Sequence, residues 1–143
     1  MHKILYSSRA RTAIDEDELQ EILRVSRRNN EAAGVTGILL HYPATDRQQA
    51  TFLQVLEGER DTLESVYARI SEDPRHDYMK LLSSEDTVAR RFGDWTMGLQ
   101  YVTDEDLQHV LPGFAPDDPD AVRVQHVIEN APLAEMLLMM YVV

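Results

Sequence analysis

The stretch Ser26 to Leu40, SRRNNEAAGVTGILL, constrains this chain most, because within it a helical pattern stops at a glycine and a strand begins. Gly34 can take the left-handed conformation that closes a helix, so the spacing predicts a helix ending near Ala33 and a strand over 35–42. Counting back along that helix, Ile22, Ser26 and Asn29/Asn30 follow the i, i+4, i+7/8 spacing of one face. At least one amide therefore shares the inward stripe. Each Asn carries one carbonyl acceptor and two N–H donors, and leaving such a group unpaired inside a protein costs about 1–3 kcal/mol. Two resolutions are open: the amide ties the helix end to a neighbouring loop, or it meets a ligand.

The other segments alternate in the same way. In HKILYSS, Ile4 and Tyr6 fall on one face of a strand, with Leu5 and Ser7 on the other. Asp15 and Glu18 resemble a capping box, and Leu19, Ile22 and Leu23 supply the apolar stripe of the first helix. PATDRQQA, residues 43–50, reads as a polar hairpin loop. In TFLQVLEG, Phe52, Gln54 and Leu56 share one face and Leu53 and Val55 the other, which sets a glutamine among apolar neighbours in mid-strand. Asp61 and Glu64 read as a second capping box, opening a helix with Leu63, Val66, Tyr67 and Ile70 inward, Arg69 beside that stripe and Pro74 marking its end. Strands are expected over 78–85 and 94–102, the latter with Trp95, Met97, Leu99 and Tyr101 on one face.

The order β-α-β-β-α-β-β predicts an α+β, ferredoxin-like sheet with two helices on one face. Downstream, Thr103 with Asp106 caps a short helix ending near Leu111, and Asp118-Pro119 reads as the start of another. After Pro132, the residues Leu133, Met136, Leu137 and Met140 form a last stripe, suited to the bare face of the sheet or to a partner. The expected division is a domain over 1–102 and a helical extension over 103–143.

Composition restricts the partners. The 143 residues hold 14 Lys+Arg against 25 Asp+Glu, a formal charge of −11, which works against nonspecific nucleic-acid binding and against anionic membranes. Residues 100–143 hold eight acids and one base, Arg123, and so carry −7 of that charge. Without cysteine there is neither a disulfide framework nor a thiolate metal site. MHKILYSS enters a strand pattern directly, with no long apolar leader, and residues 136–143 are too few to span a bilayer, which takes about 20. A cytoplasmic protein is expected.

Tyr6, Asn29/Asn30 and Gln54 can converge between two helices and a sheet, a slot suited to a flat heterocycle with carbonyl and imide edges. Spacing alone does not name the heterocycle. YSS at 6–8, SRRNN at 26–30, GVTGILL at 34–40, FLQVLEG at 52–58, Tyr67, the run from Arg69 to His76 and RRFGDWTMG at 90–98 resemble the BLUF domain of blue-light photoreceptors. The loop at 43–50 is longer than is usual in that family.

The resemblance implies noncovalent FAD, or FMN or riboflavin in its place, held between the two helices. Asn30, aided by Asn29, would bond the C4 carbonyl and imide edge, and Arg69 would lie near the C2 carbonyl. Ile22, Phe52 and Ile70 would sandwich the ring, Ser26 would line the site, and Arg75 and His76 would sit towards the phosphate. It further implies that light moves an electron and a proton from Tyr6, after which Gln54 rearranges and strengthens its bond to the flavin. Either Trp95 or Met97 would lie near the flavin, a choice the sequence leaves open, and the two would relay the change to the C-terminal helices and on to a separate effector or regulator protein, with homo-oligomerisation as an accompaniment and no enzymatic activity. The competing readings are a small flavin oxidoreductase, for which no phosphate-cradling loop or dinucleotide fingerprint is present, and a flavin-free binding or dimerisation module.

Overall fold

The computed structural model describes residues 1–10, 14–44, 49–74, 76–115 and 124–142. Its elements are β1 (His2–Ala10), α1 (Glu16–Ala33), β2 (Thr36–Tyr42), β3 (Thr51–Gly58), α2 (Arg60–Ser71), β4 (His76–Asp86), β5 (Gly98–Tyr101), α3 (Asp104–Val110), α4 (Val124–Ile128) and α5 (Ala131–Met139). The five strands form one sheet in the order β4-β1-β3-β2-β5, antiparallel except for the β2–β5 pair. This is the expected α+β, ferredoxin-like plan. The register sets Tyr6 of β1 and Leu39 of β2 on either side of Gln54 at the centre of β3.

Alternation along the strands builds two cores. On one side, Ile4, Tyr6, Leu39, Phe52 and Leu56 meet Leu19 and Leu23 of α1 and Leu63 and Val66 of α2. On the other, Leu5, Ile38, Leu40, Leu53 and Val55 meet Leu107, Val127, Ile128, Ala134, Leu137 and Leu138 of α3 to α5. The C-terminal helices thus cover the face that α1 and α2 leave bare. Helix α1 begins where the Asp15 carboxylate accepts the Glu18 N–H at 2.8 Å and ends at Gly34, whose φ of 70° places it in the left-handed region. Thr103 and Asp106 form a complete capping box for α3.

Four expectations are corrected. Helix α2 starts at Arg60 with Glu59 as its N-cap, so Asp61 and Glu64 form no capping box; Glu64 instead pairs with Arg60 at 3.1 Å. The fifth strand is confined to Gly98–Tyr101, because residues before it close a turn in which the Trp95 N–H meets the Phe92 carbonyl. Trp95 and Met97 therefore do not share a strand face: Trp95 packs against the C-terminal core and Met97 enters the core under α1 and α2. Along α5 the buried residues are Ala134, Leu137 and Leu138, while Met136 and Met140 are exposed. Pro132 lies in the first turn of α5, where its missing N–H costs no helical hydrogen bond. The expected helix start at Asp118-Pro119 lies outside the described residues.

Candidate functional site

A cleft of about 440 Å³ opens between α1 and α2 above the sheet, within the range of small-molecule sites. Its floor comes from the strands: Tyr6 and Ser8 of β1, Leu39 of β2, and Phe52 and Gln54 of β3. Ile22, Ser26 and Asn29 line it from α1 and Arg69 and Ile70 from α2. Of the predicted residues, Tyr6, Ile22, Ser26, Asn29, Phe52, Gln54, Arg69, Ile70 and Met97 line the cleft, whereas Asn30 and Trp95 are not among its lining residues. The α1 members lie four and three positions apart and the β3 members two apart.

Tyr6 is 2% exposed and its hydroxyl donates to Gln54 Oε1. The Gln54 amide nitrogen faces Met97 Sδ at 3.3 Å, so phenol, carboxamide and thioether form a chain beneath the cleft. The Tyr67 ring meets Tyr6 edge-on at 5.1 Å between centroids and 75° between planes. Burial, with a smaller contribution from Tyr67, pushes the Tyr6 phenol far above its ordinary pKa. Simple deprotonation is suppressed there, and a proton leaving this hydroxyl has the Gln54 carbonyl as its partner.

The two resolutions open for the asparagine pair are divided between them. Asn30 is 4% exposed and donates one amide N–H to the Thr96 carbonyl at 2.7 Å, tying the helix end to the segment before β5. Its carbonyl oxygen has no partner among the described residues. Asn29 lines the cleft, and neither its amide nor the Arg69 guanidinium has a partner among the described residues. Arg75 lies outside the described residues, as does the side chain of His76, although the His76 backbone pairs with Ala10 in the sheet.

Met97 is buried, lines the cleft and contacts Gln54, whereas Trp95 lies across the sheet. Ser8 is a lining residue that the sequence reading missed; it is buried on the strand that carries Tyr6 and two residues beyond it, so the same period-2 rule points to it. Leu39 is found only through strand pairing, opposite Gln54. Among the described residues no group of three or more His, Asp or Glu is placed to hold a metal, and no helix is long and apolar enough to cross a membrane.

The donor set fits a flavin. Apolar side chains of Ile22, Phe52 and Ile70 suit a flat ring, while the unpartnered Asn29 and Arg69 groups and the Gln54 carboxamide offer polar contacts at its edges.

Residues 1–98 match the family model described as sensors of blue light using FAD. Photoactivated adenylate cyclase subunit beta of Euglena longa is 35% identical over 79 residues, covering 55% of this chain and 8% of that protein. The blue light- and temperature-regulated antirepressor BluF of Escherichia coli (strain K12) is 32% identical over 96 residues, covering 67% of this chain and 22% of that protein. The chain thus spans less than a quarter of the length of these curated relatives. Among solved structures, the BLUF protein BlrB in its dark state superposes with a TM-score of 0.65 at 34% identity over 78% of each chain. BlsA in its photo-activated state gives 0.72 over 99% of this chain and 94% of that one, at 22% identity, a likeness of fold. With the match over residues 1–98 and the Tyr6–Gln54 pair beneath a flavin-sized cleft, this chain belongs to the BLUF family of blue-light sensors that use FAD.

Proposed function

We propose that this chain senses blue light through FAD held between α1 and α2 and passes the signal to a separate partner protein. The observation that carries this reading is the Tyr6–Gln54–Met97 chain of contacts beneath the cleft. FAD, when bound, supplies visible absorption and an excited state able to accept an electron. The protein's own residues do the rest. Ile22, Phe52 and Ile70 pack the ring, Asn29 meets its polar edge, and Ser26 and Arg69 complete the lining. Asn30, which donates to the Thr96 carbonyl, is assigned to that edge by resemblance alone. Arg75 and His76 are assigned to the phosphate side by resemblance alone. FMN or riboflavin would satisfy the same ring contacts.

Tyr6 is the electron and proton donor in this reading, and its hydroxyl already addresses the Gln54 carbonyl. Gln54 is the switch, because a carboxamide can present either a donor or an acceptor edge to the cleft. One rearranged hydrogen bond is worth about 0.5–1.5 kcal/mol, enough to shift a two-state population roughly threefold to tenfold. The output is accordingly a modest rebalancing of contacts. Met97 is its first receiver, and Trp95 lies further along, under the C-terminal helices.

Residues 1–102 act as the sensor and 103–143 as the output layer, with homo-oligomerisation through the latter. The −11 charge favours a protein partner over nucleic acid or an anionic membrane. The chain itself performs no catalysis in this reading; the matched region is the sensor module alone. Incubation of the purified protein with FAD, FMN and riboflavin, followed by gel filtration, tests the pocket assignment. Retention of a yellow flavin near one per chain is expected, and failure to retain any of the three contradicts it.

A further inference from the structure

Glu57 is 2% exposed, on the face of β3 opposite the cleft, and among the described residues no basic side chain forms an ion pair with its carboxylate. One oxygen accepts the Arg91 N–H at 2.7 Å, and the other accepts the Phe92 N–H at 2.9 Å and the Thr36 hydroxyl at 3.2 Å. Beside it, the Arg90 guanidinium donates to Thr36 Oγ1 at 2.8 Å, to the Glu57 carbonyl at 2.9 Å and to the Gly34 carbonyl at 2.7 Å. A buried carboxylate is costly unless hydrogen-bonded, and a stretch without regular structure needs partners for its N–H groups. Each requirement meets the other here.

From that anchor the segment is fixed residue by residue to the site. The Trp95 carbonyl accepts the Gly37 N–H at 3.1 Å, the Thr96 carbonyl accepts from Asn30 at 2.7 Å, and the Met97 carbonyl accepts from Arg27 at 2.9 Å. Met97 Sδ then faces Gln54, three residues before Glu57 on the same strand. At the other end, the Arg91 guanidinium reaches Met139 Sδ on α5 at 2.7 Å, and Phe92 enters the C-terminal core.

We infer that Glu57 is a positioning residue that holds residues 90–97 taut between Gln54 and α5, so that a change at the Gln54–Met97 contact is felt at the C-terminal helices. This rests on the light-sensing reading above and names the route out of that site. Glu57 acts through the backbone it holds, without touching the cleft. A slack segment would absorb a shift of Met97 locally, whereas a segment pinned at Phe92 and Trp95 transmits it.

The test compares the FAD-loaded full chain with Glu57→Gln by visible spectroscopy and by hydrogen exchange at residues 131–139, in darkness and under blue light. In the unsubstituted protein, light is expected to red-shift the flavin band and to change exchange in α5. Glu57→Gln is expected to keep the red shift at full amplitude, to reduce the light-dependent exchange difference in α5 at least threefold, and to speed dark recovery several-fold. An α5 difference of unsubstituted size in Glu57→Gln overturns the inference. Equal loss of the red shift overturns it also, since Glu57 would then merely support the site. Should Glu57→Gln not fold, Arg91→Ala on the exposed end decides: a preserved red shift with the α5 difference at least halved supports the route, and an unchanged difference overturns it. If the unsubstituted protein binds FAD and shows no red shift, the light-sensing reading itself fails, and the route with it.

Discussion

Tyr6 and Gln54 stand directly opposite each other on adjacent antiparallel strands, and the Tyr6 hydroxyl donates to the Gln54 carbonyl oxygen in the floor of the cleft. Cross-strand pairs of this kind are the closest contacts a sheet provides, so the two side chains need no loop to bring them together. Tyr6→Phe and Gln54→Leu should each retain flavin, since the packing residues are untouched, and each should lose the light-driven red shift. Tyr6→Phe also leaves the Gln54 carbonyl without its partner and should cost about 1 kcal/mol of stability, read as a shift in the urea midpoint. A red shift persisting in both variants contradicts the assigned roles.

Met97 and Trp95 lie on opposite sides of the sheet, and their substitutions should separate. Met97→Ala removes the thioether that faces Gln54 and should alter the dark-recovery rate, with a stability loss of roughly 2–5 kcal/mol from the cavity left behind. Trp95→Phe should keep the red shift and the recovery rate within about twofold while lowering stability by about 1–3 kcal/mol. Flash spectroscopy and thermal unfolding of the two proteins, side by side, check this.

Gly37 sits where a Cβ would lie 2.0 Å from the Val55 carbonyl oxygen, a backbone atom that cannot move without breaking the sheet. Gly37→Ala should therefore cost more than about 3 kcal/mol, at the severe end of single substitutions. Gly98→Ala would place its Cβ 2.8 Å from Trp95 Cε3, a side-chain atom rather than backbone, and should cost less. Urea unfolding of both variants ranks them.

His41 is 6% exposed, stacks on Phe52 at 4.8 Å and has no hydrogen-bond partner for either ring nitrogen among the described residues. Burial holds its pKa below the ordinary 6.5, with Glu16 opposing weakly. The unfolded chain then binds the proton more readily than the folded one, so this contribution is complete above the unfolded pKa and declines as pH falls below it. Melting temperature should drop as pH falls below about 6.5, and His41→Phe should flatten that slope. Glu16, Asp86 and Asp106, whose carboxyls are held below their ordinary values, contribute their losses at lower pH. An unchanged slope in His41→Phe would assign the acid sensitivity elsewhere.

Much of the fold was legible because alternation and capping are local. Period 2 placed Tyr6, Phe52 and Gln54 on one sheet face, and the helical period placed Ile22, Ser26 and Asn29 above them. The misreadings after residue 90 share one cause. Residues 94–97 alternate in polarity as a strand would, yet the carboxylate of Glu57 and the N–H of Gly37 hold the segment from Arg91 to Trp95 as a turn. Those are tertiary hydrogen bonds between residues about 35 or more apart in sequence, and no local pattern reports them. Likewise the buried face of α5 is chosen by its neighbours in the C-terminal core, since the helix is apolar nearly all round.

The visible spectrum of the flavin-loaded protein, recorded before and after blue light, tests the central claim most directly. A yellow protein whose absorption shifts slightly red on illumination and returns in darkness is the predicted result. A bound flavin whose spectrum does not shift, or bleaches instead, would contradict a hydrogen-bond switch between Tyr6 and Gln54.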